Sequence, residues 1–94
     1  WSNLENNLVI YPNPSDGRRV GFHFIAPSGS KATLQIVDIR GEIVIEDGNT
    51  FTGGEEHEFV ISMGDEASGI YIARVVVSYQ GETVETAKKF AIVK

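Results

Sequence analysis

The chain contains no cysteine, which excludes disulfide staples and thiol catalysis and leaves any core to hold by packing alone. It leaves the compartment open. Basic residues are scarce, eight against 13 acidic ones, for a net charge of −5. A nucleic-acid partner needs a basic stripe to displace counterions from phosphates, and none is present. No apolar run is long: Ile70 to Val77, broken by Arg74, falls well short of the roughly 20 residues a spanning helix needs, so membrane insertion is not expected. No signal peptide is visible, and the start at Trp1 without methionine points to a fragment. Helical periodicity is also hard to find.

What is present is a β-type pattern over 94 residues, a one-domain length. Short runs of branched and aromatic residues alternate with polar ones between Gly, Asp, Asn and Ser clusters. The spacing predicts strands at Leu8–Tyr11, Val20–Ala26, Ala32–Ile39, Glu42–Glu46, His57–Met63, Ile70–Tyr79 and Thr83–Val93. Asp47 to Thr50 and Thr52 to Gly54 read as a long polar loop, and Gln80-Gly81 opens a tight hairpin turn. Seven strands with regular turn signals predict an all-β, antiparallel immunoglobulin-like β-sandwich. Its expected core is Val20, Phe22, Phe24, Leu34, Ile36, Phe59, Ile61, Val75, Phe90 and Ile92. Residues 1–7 read as a linker remnant and residues 8–94 as the domain.

Two of the three prolines fall in Tyr11-Pro12-Asn13-Pro14, followed by Ser15-Asp16-Gly17. A proline cannot donate to a sheet ladder, and it pushes the preceding residue towards extended backbone. The stretch is therefore expected to be an extended edge ending in a corner, with Gly17 at positive φ. The charge is uneven: Glu42, Glu46, Asp47, Glu55, Glu56, Glu58, Asp65 and Glu66 fill the middle, and Lys88, Lys89 and Lys94 crowd the end. The plain reading is a solvated surface; the sharper one is a basic recognition tag.

Catalytic chemistry finds few candidates. His23 and His57 are the only histidines, and Ser62 and Ser68 lack a nucleophile-elbow context. In Glu55-Glu56-His57-Glu58 a strand sends alternate residues to opposite faces, a poor arrangement for a metal. Asp47 to Thr50 and Gly64 to Glu66 carry oxygen ligands, but neither follows a calcium-loop pattern. No enzyme activity, cofactor or metal is expected.

Four elements line up in a telling order: Tyr11-Pro12-Asn13-Pro14 with Gly17, the Leu34 to Gly41 stretch with Asp38 and Gly41, Ser68-Gly69-Ile70-Tyr71, and Lys88-Lys89 through Lys94. In this order the chain resembles the C-terminal sorting domain of the type IX secretion system of Bacteroidetes. It is also similar to the FlgD-type immunoglobulin-like domain, although that family's Trp-Asp-Gly segment is absent here. The resemblance spans Leu8 to Lys94. It implies a non-catalytic module at the end of a larger secreted protein, reaching the surface or the medium by way of the periplasm. Outer-membrane secretion machinery, or the preceding domain of the parent, would be its partner. The alternatives are a FlgD-like module packing on its parent and a carbohydrate-binding sandwich; an edge-strand dimer also stays open. Within this frame Gly69 is expected to permit a backbone turn. Tyr71 is expected to bury its ring and give its hydroxyl to a loop carbonyl, and Gly41 to hold a hairpin corner.

Overall fold

In a computed structural model, residues 4–94 are described. Among them a helical turn, α1 (Leu4–Asn7), precedes β1 (Val9–Tyr11), β2 (Val20–Ile25), β3 (Ser30–Val37), β4 (Ile43–Phe51), β5 (Glu56–Ile61), β6 (Gly69–Tyr79) and β7 (Glu82–Ile92). The strands form a three-stranded sheet, β1-β2-β5, and a four-stranded sheet, β4-β3-β6-β7. Every ladder is antiparallel. This is the immunoglobulin-like sandwich that the alternating pattern predicts.

Alternation builds the core directly. Val20, Phe22 and Phe24 of β2 face Leu34 and Ile36 of β3, Val75 and Val77 of β6, and Phe90 and Ile92 of β7, all buried. Phe22 and Phe90 meet edge to face across the sheets at 5.4 Å, an arrangement that suits their ring quadrupoles. Of the expected core only Ile61 is left half-buried. His57 lies among these side chains, its ring near Phe24 and Phe51, with Nε2 3.0 Å from the Ala26 carbonyl. His23 sits on the opposite, outer face beside Glu56.

Two segments depart from expectation. Trp1 to Asn3 of the expected linker lie outside the described residues. Leu4, however, is fully buried in the core, and Leu8, which accompanies it, donates its N–H to the Leu4 carbonyl at 2.9 Å. Residues four apart share a helix face, so one turn sets both leucines inward. A single turn is too short to leave a periodic signal.

The second departure is β4, which runs on through the expected loop from Asp47 to Phe51. Its register is continuous there, with Leu34 opposite Asp47 and Ala32 opposite Asn49. Directly opposite residues share a face, so Asp47 and Asn49 point to the inner side. Both are nevertheless exposed, because the three-stranded sheet does not extend over them. An edge strand with no cover has no need of apolar residues, and its turn-forming composition conceals it.

Those turn formers close the edge. Backbone groups alternate in direction along a strand, and Phe51 directs its carbonyl towards Gly29 at the head of β3. Gly48 and Thr50 therefore aim their N–H groups away from β3. The Asp47 Oδ1 accepts from Gly48 N at 2.8 Å and the Asn49 Oδ1 from Thr50 N at 2.9 Å. The Tyr79–Glu82 hairpin turns as expected, with positive φ at Gln80 and Gly81.

Candidate functional site

The four elements lie at one end of the sandwich, and two of them converge on the final residues of β7 and the two that follow it. β1 lies on the edge of the three-stranded sheet. Beyond it, Pro12 to Pro14 carry the chain across to the edge of the other sheet, through two cis X-Pro peptides. Asn13 Oδ1 accepts from the Ala91 N–H at 3.1 Å. Ser15 then donates its N–H to the Ala91 carbonyl at 2.9 Å, and its own carbonyl accepts from Val93 N at 2.8 Å. The buried Ser15 hydroxyl accepts from Gly17 N at 3.0 Å, which tightens the corner. The proline stretch is thus more than a blocked edge: it bridges the sheets and pairs with β7.

Gly17 has φ +88° and its carbonyl accepts from Met63 N at 2.7 Å. A Cβ there would stand 3.0 Å from the Met63 carbonyl oxygen and 3.3 Å from Lys94 Cε. Glycine is required on both counts. On the other flank Ser68 Oγ accepts from Lys94 N at 3.0 Å, and Lys94 Nζ reaches the Gly64 carbonyl at 2.6 Å. The last residue of the sequence is tied on both sides.

Tyr71 fulfils its expected geometry. Its ring is buried, 5.9 Å from Phe90 between centroids, and its hydroxyl donates to the Ala67 carbonyl at 2.6 Å. A tyrosine near the start of a strand that bonds backbone a few residues upstream is the tyrosine corner of immunoglobulin-like sandwiches. Burial, with the nearby charges of Glu66 and Asp38, holds its pKa above the ordinary value. Gly69 is different. Its φ is not positive and an added Cβ would meet nothing, so no turn there demands glycine.

Asp38 organises the β3–β4 turn. Its Oδ1 accepts from the N–H groups of Arg40 at 2.9 Å and Glu42 at 3.1 Å, and its Oδ2 pairs with the Arg40 guanidinium. Desolvation opposes its ionisation, but the bonds from Arg40 and Glu42 outweigh it and hold its pKa below the usual value. Gly41 completes the turn at φ +84°. Asp38, Ser68, Gly69 and Tyr71 line one shallow cleft of about 270 Å³ between this turn and the β5–β6 loop.

The three lysines do not form one patch. Lys88 lies on the inner-facing side of β7 and gives its Nζ to the Leu8 carbonyl at 2.6 Å. Lys94 spends its charge on Gly64. Lys89 is exposed on the outer face, opposite Ile72, and makes no hydrogen bond or ion pair among the described residues. Sequence reasoning missed Ser15 and Gly64, which hold Val93 and Lys94 through backbone atoms. Main-chain partners leave no side-chain signature to read.

No curated protein matches the chain. A similar fold occurs in a crystal structure of Parabacteroides merdae beta-glucuronidase, with TM-score 0.63 and 10% identity, over 92% of this chain but 13% of that one. That likeness concerns the fold alone. Residues 9–93, from β1 to the residue after β7, match the family described as the secretion system C-terminal sorting domain, that of type IX secretion. The match covers each of the converging elements up to Val93, and the chain belongs to this family of sorting domains, which mark proteins for export to the cell surface or the medium.

Proposed function

We propose that the chain is a non-catalytic export and attachment signal, and that its recognised element is the strand end from Phe90 to Lys94. The supporting observation is convergence: Asn13, Ser15 and Gly17 from the β1–β2 connection and Gly64 and Ser68 from the β5–β6 loop all hold those few residues. The partner is the outer-membrane secretion machinery. Lys89 is the motif lysine left to meet it, because Lys88 and Lys94 are committed to carbonyls of the fold. Residues 4–94 form the recognised unit, since Leu4 belongs to its core.

The test is a fusion export assay in a type IX-competent bacterium. A periplasmic reporter carries residues 4–94 at its C-terminus, beside a secretion-deficient control strain. Export should require the machinery, should fail when residues 90–94 are removed, and should weaken in Lys89→Glu. Unchanged export after the deletion would refute this reading. A second reading, packing on a preceding domain, draws on Val9, Tyr11 and Val60, exposed together on the outer face of the three-stranded sheet. In the parent protein, that role would protect these side chains from solvent.

A further inference from the structure

A sandwich of two open sheets has four edges, and three of these carry a feature that closes them over part of their length. On β4, Asp47 and Asn49 cap the outward N–H groups of Gly48 and Thr50. On β7, Asn13 and Ser15 take Ala91 and Val93, and Lys88 binds Leu8 alongside. On β1, the strand is three residues long and stops at Pro12. β5 has no such device. Its ladder to β2 is regular from Glu56 to Ile61, without bulge, proline or glycine. The Ala26–Glu55 bond sets the alternation, so that His57, Phe59 and Ile61 bond β2 while Glu56, Glu58 and Val60 direct their backbone groups outward. Among the described residues nothing pairs with those groups.

The segment that carries that edge has one sign, although Arg19 shares a cleft with Glu58 and His23 sits beside Glu56. From Glu42 to Glu66 the chain carries eight carboxylates and no lysine or arginine. Phe51 of β4 packs on Phe59 of β5 and brings the two edges to the same side, so that Asp47, inward-facing on β4, joins Glu55, Glu56 and Glu58 on that side of the sandwich. The three-stranded sheet is also one strand short of its partner here. A strand added to β5 would lie over Asp47 and Asn49, which face inward without cover.

We propose that β5 is a docking edge for an extended basic segment of another polypeptide. The segment would add as a fourth strand, bonding the backbone of Glu56, Glu58 and Val60, with lysine or arginine set against Glu56 and Glu58. A second copy of this edge is a poor occupant. Antiparallel self-pairing sets glutamates against glutamates, and like charges directly opposite are destabilising. The glutamates therefore choose among partners and do not close the edge. This surface lies on the opposite side of the sandwich from β7 and stands independently of the export reading.

The experiment uses the 94-residue chain. The probe is an acetylated and amidated heptapeptide of alternating lysine and valine between terminal threonines, with a glutamate version as control. Amide hydrogen exchange is followed by NMR. The lysine peptide should slow exchange at Glu56, Glu58 and Val60 by about tenfold at saturation, and added salt should weaken it. The glutamate peptide should do nothing. A lysine peptide N-methylated on its pairing edge should lose the protection but keep its charge. The pair Glu56→Lys and Glu58→Lys should reverse the preference to the glutamate peptide. Protection elsewhere, protection that survives N-methylation, or none at all would overturn the proposal. So would concentration-dependent dimerisation of the chain alone that protects the same amides.

Discussion

Tyr71 joins packing to polarity within one side chain. Its ring fills the core beside Phe90, and its hydroxyl satisfies the Ala67 carbonyl. Tyr71→Phe keeps the ring and removes the bond, so urea unfolding at neutral pH should show a loss of about 0.5–1.5 kcal/mol. The pH dependence has a definite sign. Burial and the nearby carboxylates raise the folded pKa above the ordinary value near 10. The contribution is intact below that value and is lost as pH rises through the higher folded one. The wild type should therefore lose stability in alkali more steeply than Tyr71→Phe. Asp38 has the opposite sign. Its folded pKa is depressed, so its contribution is present above the ordinary aspartate value of 3.8 and fades as pH falls below it. Asp38→Asn should flatten the acid limb of a stability profile. At Gly17, Gly17→Ala combines positive φ with a close carbonyl, and thermal melts should show a destabilisation of about 1–3 kcal/mol.

Edges decide how the strands behave towards other molecules. β4 is nine residues long and exposed along most of its length, the description of an aggregation hazard. Asp47 and Asn49 lessen the hazard by occupying the N–H groups of Gly48 and Thr50, which a neighbour would need. Substituting both with valine should favour strand conformation and free those donors. Light scattering should then show concentration-dependent self-association that the wild type lacks. The same two residues hide β4 from sequence reasoning. Asp-Gly-Asn-Thr reads as a turn because its side chains bond nearby backbone, and here that habit serves an edge. By contrast β2, β3 and β6 were legible residue by residue, since each buries one face and solvates the other.

For the whole molecule, the question is where the folded unit begins. Leu4 is fully buried and lies in the same cluster as Phe22 and Phe90. Leu4→Ala should cost about 2–5 kcal/mol by chemical denaturation, the range for a large core side chain replaced by alanine. Truncation to residue 8 should destabilise at least as much, whereas a true linker would be removable without effect. The export role also belongs to this scale. Residues some eighty positions apart, Asn13 and Ala91, share a hydrogen bond only because the proline stretch crosses from one sheet to the other.

By itself the sequence determined the class of fold, the inward set of β2, β3, β6 and β7, the positive-φ corners at Gly17, Gly41 and Gly81, and the place of the tyrosine hydroxyl. These follow from local rules: period-two alternation, the steric freedom of glycine and the need of a buried hydroxyl for a partner. Only the tertiary structure decided which edges close and which stays open, and which lysine faces solvent. It also decided that Leu4 belongs to the core and that two distant segments meet on the end of β7. Each of these depends on backbone groups or on the extent of the facing sheet. Neither quantity is written in the side chains of a single strand.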